Sequence, residues 1–150
     1  MSRTFTHLVT HIVFSTKDRE PFIASDISAE MYAYLGGLVR ELRGKAHGVN
    51  GMADHVHMLI QLSPTIAPSD ALRFIKANSS KWVRDKWPRR VSFAWQLGYG
   101  AFSVSKSSIP AVLDYIRNQE QHHRKVTFQE EFIDFLKRHE IEYDERYIWK

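Results

Sequence analysis

No cysteine occurs in the 150 residues, which removes disulfides, thiol nucleophiles and thiolate-held zinc or iron–sulfur sites from the chemistry open to this chain. A reducing, cytoplasmic setting is expected. No run of about 18 apolar residues is present to cross a bilayer, so no membrane association is expected, and the opening stretch MSRTFTHLVTHIVFSTKD lacks the apolar segment of a secretory signal. Low-complexity segments and internal repeats are also missing. What is there, 43% hydrophobic residues, is enough for a single domain over residues 1–150 with a sizeable core.

The net charge of +4 is modest but unevenly placed. Arg73, Lys76, Lys81, Arg84, Lys86, Arg89 and Arg90 stand against Asp85 alone, whereas the segment from Val126 onward is acidic on balance. A face carrying that many cations suits a polyanion, although a solvated helix exterior has the same composition.

HLVTHIVFST alternates like a strand, with Leu8, Thr10, Ile12 and Phe14 as the better core face and His7, Val9, His11 and Val13 opposite. Ile27, Met31, Tyr34, Leu35, Leu38, Val39 and Leu42 follow at helical spacing, with Ser25 or Asp26 as cap and Gly44 as stop. Gly36 and Gly37 within that helix cost roughly 1 kcal/mol each relative to alanine, which predicts a close backbone approach there. AHGVNGMADHVHMLIQL reads as one or two strands punctuated by Gly48 and the Asn50–Gly51 pair. A second helix, capped by Ser69 and ended by Pro88, has the apolar stripe Leu72, Ile75, Trp82 and Val83 and the polar stripe Arg73, Lys76, Ser80 and Arg84. FAWQLGYGAFSVS is a last strand, where the glycines beside Tyr99 suggest a bend or a close ligand approach. A third helix opens at Ser107 or Ser108 with Pro110, and a fourth has the capping box Thr127–Glu130 and the apolar set Phe128, Phe132, Phe135 and Leu136. This order describes an α+β, ferredoxin-like antiparallel sheet with helices on one face, the other face open, and a C-terminal helical tail.

DHVHMLIQL carries the chemistry. On a strand, His55, His57 and Leu59 share one face while Val56, Met58, Ile60 and Leu62 form a core face on the other. Two imidazoles on one face can hold a metal ion, though the same pair also decorates ordinary strands, and a third ligand must come from elsewhere. In DYIRNQEQHH, Tyr115 and Gln119 stand at i and i+4, so the phenol and the carboxamide leave one helix face a turn apart. Two nitrogens, an amide oxygen and waters suit Mg2+ or Mn2+ better than a closed zinc site, and a phenol beside the ion can attack a phosphodiester. Each residue taken alone has a plainer role: Tyr115 as a packing ring, and His7, His11, His122 and His123 as surface or hydrogen-bonding histidines.

Together, HIVFSTKDREPF, MADHVHMLIQL, KANSSKWV, WQLGYGAFSVS and YIRNQEQHH resemble, in order and spacing, the single-tyrosine HUH-class transposases of small bacterial insertion sequences, the IS200-like family. The resemblance covers His7 to His123. It implies a ferredoxin-like fold, a homodimer in which one subunit's tyrosine helix can complete the other's site, a divalent metal, and cleavage and rejoining of single-stranded DNA at hairpin-marked element ends through a 5′-phosphotyrosine. His55, Val56 and His57 match the HUH motif, Tyr115 the nucleophile and Gln119 the third ligand. Residues 1–125 are then the catalytic core, and residues 126–150 lie outside the motif set, where they can brace a dimer.

Arg73, Lys76, Lys81, Arg84 and Arg117 are candidates for phosphate contacts, and Trp82 and Trp95 for base stacking or, more simply, core packing. The competing readings are a replication or relaxase-type HUH nuclease, which shares the chemistry but usually belongs to a longer chain, and a catalytically inactive or domesticated nucleic-acid-binding module, against which the Tyr–Gln spacing weighs. A phosphodiesterase built on repeated histidine motifs is weaker, because HVHML has no second copy.

Overall fold

A computed structural model describes residues 3–150. Its elements run β1 (Val9–Ser15), α1 (Ser28–Glu41), β2 (Lys45–Met52), β3 (His55–Gln61), α2 (Pro68–Lys86), β4 (Gly100–Ser103), α3 (Ile109–Arg117), α4 (Gln119–His122) and α5 (Phe128–Arg138). The four strands form one antiparallel sheet in the order β2-β3-β1-β4. That order, with α1 and α2 as the connections, is the ferredoxin-like arrangement expected from the sequence. No helix among the described residues is long and apolar enough to cross a membrane.

One face of the sheet follows the strand alternation closely. Ile12, Phe14, Val56, Met58, Ile60 and Leu62 are buried against Met31, Leu35, Leu38 and Val39 of α1 and Leu72, Ile75 and Val83 of α2. Leu8 is 50% exposed and lies before the strand, so it does not share that core.

The second face is closed, not open. Val9 and Leu59 pack with Ile116 of α3, and Val13 and Phe102 pack with Phe128, Phe132, Phe135 and Leu136 of α5. His55 and His57 are therefore at 0% exposure. The alternation correctly put both histidines on one face, but it holds no information about which later helices return to cover that face.

Several local expectations give way to other contacts. A Cβ at Gly36 or Gly37 would meet nothing closer than 3.6 Å, so the backbone approach expected there does not occur. Helix α1 begins after Ile27 with no side-chain cap, and its end is turned by Arg43 in the left-handed region at φ 62°, while Gly44 is needed because a Cβ would lie 2.7 Å from Gln61 O. Helix α2 starts with Pro68 in its first turn, which leaves Ser69 inside the helix and not at its cap. Asn50–Gly51 lies within β2; the hairpin turns at Ala53–Asp54 instead. Strand β4 is shorter than FAWQLGYGAFSVS suggests, although Trp95 still makes a bridge to Thr16. A close approach at Gly100 comes from Phe132 of α5, 2.8 Å from where a Cβ would stand.

At Gly51 an added Cβ would run into the backbone of His55 and Val56. Backbone cannot step aside as a flexible side chain can, so Gly51→Ala is expected to lower stability by roughly 2 kcal/mol or more, read as an earlier urea midpoint with little change in slope.

Candidate active site

Antiparallel pairing of β1 with β3 sets Val13 opposite His57 and Ser15 opposite His55. On the covered face the imidazoles of His11 and His57 meet, His11 Nε2 lying 2.8 Å from His57 Nδ1. Asp54, in the hairpin turn, holds the other histidine, with His55 Nδ1 at 2.7 Å from its Oδ1. Because a carboxylate only accepts, His55 carries its proton on Nδ1 and presents the Nε2 lone pair to the face.

Tyr115 and Gln119 arrive from the other side. The expected single helix is broken at Asn118 (φ −99°, ψ 26°), which separates α3 from the short α4. Asn50 Nδ2 of β2 donates to Ile116 O at 2.9 Å, which satisfies a helix-end carbonyl and ties the break to the sheet. The i, i+4 relation survives: Gln119 Nε2 lies 3.3 Å from Tyr115 O as donor. With the amide turned that way, Gln119 Oε1 faces His55 Nε2 at 3.1 Å. Gln119 is fully buried. The structure thus brings His55, His57, Gln119 and Tyr115 together within one chain.

The residue that sequence reasoning missed is Glu131. It lies on α5, in the tail that the motifs left unassigned, and is 3% exposed. One carboxylate oxygen is 2.9 Å from His57 Nε2 and 3.5 Å from His55 Nε2. The other accepts a hydrogen bond from the Tyr115 hydroxyl and lies 3.2 Å from Nε2 of both His122 and His123. An acid in the first helical turn, on the same side as the apolar stripe Phe128, Phe132 and Phe135, was the signal available, but Glu131 neighbours Glu130, whose capping box with Thr127 explains one acidic residue and hides the other. His122 Nε2 also stands 3.1 Å from the Tyr115 hydroxyl. His11, His122 and His123 are therefore part of the site, while His7 is exposed.

Electrostatics follow from this enclosure. Burial, reinforced by the neighbouring carboxylate, pushes the Tyr115 phenol well above the ordinary tyrosine range. Burial works to raise Glu131, but the close His123 imidazole and the hydrogen bonds from His57 and Tyr115 win and hold the carboxyl far below its usual range. Burial drives His57 down to about 4, partly offset by Glu131, and drives His11 down to about 3, aided by His57.

Whether these residues suit a cation can be judged from their lone pairs. His55 Nε2 and Gln119 Oε1 are both acceptors, yet they face each other at 3.1 Å with no proton to share. Such a pair is stabilised by a positive ion placed between them. The donor set therefore suits a divalent metal.

The cationic candidates separate into two groups. Arg73, Lys81 and Arg117 are exposed and pair with carboxylates of their own helices, Asp70 at 3.2 Å, Asp85 at 2.5 Å and Asp114 at 3.8 Å. Lys76 instead donates to Gln96 O at 3.0 Å and to Gly98 O, and Arg84 donates to Phe93 O at 3.2 Å. Burial lowers Lys76 to about 8. Lys76 and Arg73, but not Arg84, line a groove of about 510 Å³ between α2 and the segment carrying residues 94–97 and Tyr99. Trp95 is buried with its indole N–H on Ser79 Oγ, whereas Trp82 stacks on Tyr34 with centroids 4.3 Å apart, partly open to solvent.

Comparison with known proteins follows the same lines. Residues 4–119 match the family described as "Transposase IS200 like". The chain is 26% identical over 114 residues to the transposases for insertion sequence element IS200 of Salmonella typhimurium LT2 and Salmonella typhi, covering 73% of this chain and 74% of theirs. Among solved structures, a candidate transposase from Deinococcus radiodurans R1 aligns with a TM-score of 0.65 at 19% identity, over 79% of this chain and 96% of that one. A REP-associated tyrosine transposase bound to a REP hairpin aligns with a TM-score of 0.61 at 15% identity, over 84% and 74%. These two support the fold.

The buried imidazoles give a pH test on metal-free protein. His11 and His57 stay neutral in the fold at pH values where the unfolded chain's imidazoles, near 6.5, take up protons. The unfolded state then binds more protons, so stability falls as pH drops from about 6.5 toward 4, and Glu131 adds to the loss below its unfolded value of 4.5. Two such imidazoles lose about 4 kcal/mol between pH 7.5 and 5 and His123, raised by its contacts despite burial, returns part of it, so urea unfolding in a chelator should show a net loss on the order of 2–3 kcal/mol. A flat profile would contradict the burial of neutral imidazoles.

Proposed function

Because the chain belongs to the IS200-like transposase family, we propose that it cleaves and rejoins single-stranded DNA at hairpin-marked element ends, with Tyr115 as nucleophile and His55, His57 and Gln119 as donors to Mg2+ or Mn2+. The observation that carries this reading is the convergence of a phenol, two imidazole nitrogens and a carboxamide oxygen at one buried centre of a single chain.

Tyr115 Oη forms a bond to the scissile phosphorus, the P–O3′ bond breaks, and the departing 3′ oxygen takes up a proton. The product is a 5′-phosphotyrosine and a free 3′-hydroxyl. A phosphotyrosine keeps about the free energy of the phosphodiester it replaces, so a DNA hydroxyl reverses the step and rejoins strands without ATP. His55, His57 and Gln119 would hold a divalent cation, which when bound would draw electron density from the phosphate. The phenol proton has a path outward: its hydrogen bond runs to Glu131, and His122 Nε2 stands 3.1 Å from the phenol oxygen and 3.2 Å from that carboxylate. The His122 side chain is 30% exposed, so a proton placed there reaches solvent.

Substrate approaches from the same side. A groove of about 400 Å³ lined by Ala111, Asp114, Tyr115, Asn118, Gln121 and His122 opens at the tyrosine. Arg117 lies in the same helix and supplies sequence-independent phosphate attraction there, while Arg73, Lys76, Lys81 and Arg84 belong to α2 on the other face of the sheet, where Arg73 and Lys76 line a second groove suited to phosphate. The REP-hairpin complex of the structural neighbour supports hairpin DNA as the substrate class. A homodimer belongs to the same reading.

The test uses a labelled single-stranded hairpin from the flank of the gene, with and without Mg2+ or Mn2+, followed by denaturing electrophoresis. Wild-type protein forms a metal-dependent covalent adduct; Tyr115→Phe forms none and still binds the hairpin within about threefold. His57→Ala lowers cleavage by on the order of 100-fold. An adduct that persists in Tyr115→Phe removes Tyr115 from the role.

A further inference from the structure

We propose that the C-terminal segment is part of the metal site: Glu131 of α5 and His123, just after α4, are ligands alongside His55, His57 and Gln119, and the five-donor set selects Mn2+ over Mg2+. The proposal rests on the reading of His55, His57 and Gln119 as donors and extends it.

Three observations converge. The first is an unpartnered lone pair. His123 Nδ1 donates to Val126 O at 2.6 Å, because a carbonyl can only accept, and so in the neutral ring the lone pair is on Nε2. That Nε2 is buried, on a side chain 6% exposed, and has no hydrogen-bond partner; Glu131 lies 3.2 Å away but off the line of a hydrogen bond. The second is distance. Ligand atoms of His55, His57, His123 and Glu131 all lie within 4.8 Å of one another. Donors about 2.1–2.3 Å from one ion stand no more than about 4.6 Å apart even on opposite sides, so small side-chain adjustments close the shell. The third is charge. Among the described residues the Glu131 carboxylate pairs only with imidazoles, and no lysine or arginine reaches it. A carboxylate so buried needs a positive partner, and a divalent ion supplies one.

His11 completes the arrangement from behind. Its Nε2 lies 2.8 Å from His57 Nδ1 and can accept from it, which favours the tautomer with the His57 proton on Nδ1 and the Nε2 lone pair turned to the metal. With three imidazole nitrogens and two oxygens the set is softer than the oxygen-rich shell Mg2+ prefers, and Mg2+ sheds water reluctantly. Mn2+ accepts such a mixture and keeps a sixth position for a phosphate oxygen.

The experiment uses chelator-stripped, full-length protein without DNA, titrated with MnCl2 and followed by the electron paramagnetic resonance of free Mn2+ and by calorimetry. Wild-type protein is expected to bind one Mn2+ per chain, with MgCl2 competing only at ten-fold or greater excess. Glu131→Gln keeps the shape and loses the charge, and is expected to weaken Mn2+ binding 10- to 100-fold; His123→Asn weakens it at least ten-fold. A reading that needs no His123 variant to fold is the 15N-histidine spectrum of wild-type protein loaded with 113Cd2+: three Nε2 signals, not two, show coupling to the metal. Unchanged Mn2+ affinity in Glu131→Gln, or only two coupled imidazoles, overturns this proposal while leaving the donor set of His55, His57 and Gln119 in place. A wild-type protein that binds no Mn2+ overturns both.

Discussion

A carboxylate sealed between a sheet and the helix that delivers it organises one whole side of this molecule. Glu131 accepts from the Tyr115 hydroxyl with one oxygen and sits against His57 and His55 with the other. Its burial is made possible by the apolar residues around it on α5, since Phe128, Phe132, Phe135 and Leu136 pack on Val13 and Phe102. Removing that helix would expose aromatic surface and the histidine pair together. The apolar packing of the tail and the polar centre beneath it are thus one structural unit, with packing excluding water and the excluded water making each polar contact count for more.

The site is layered in a way that suits proton and charge management. Asp54 fixes the tautomer of His55, His11 backs His57, and Val126 O fixes His123. These outer contacts turn nitrogen lone pairs toward one centre before anything is bound there. On the solvent side, Tyr115 and His122 border the groove at α3, so the reacting oxygen is held at the edge of the buried cluster and not within it. An anionic substrate can therefore meet the phenol without unpacking the sheet.

Legibility in the sequence varied with the range of the interaction. Strand alternation put His55 and His57 on one face and Val56, Met58 and Ile60 on the other, as the structure has them. The i, i+4 spacing joined Tyr115 to Gln119, and this survived a helix break at Asn118 because the side-chain contact outlasts the change in backbone. The capping box at Thr127 marked the start of α5 correctly. Glycines were less informative: Gly36 and Gly37 sit in open contacts, while Gly44, Gly51 and Gly100 are demanded by neighbours from other elements.

Period-two and helical patterns, read along the chain, settled the elements, the histidine pair on one strand face and the phenol–carboxamide pair on one helix face, because each depends on residues a few positions apart; the meeting of the two pairs spans 64 positions. Closure of the second face and the arrival of Glu131, 74 residues beyond His57, were decided by tertiary packing alone. An amphipathic helix advertises that it has an apolar side, but nothing local in it names the surface it will cover, and the polar residue it carries inward takes its meaning from that surface.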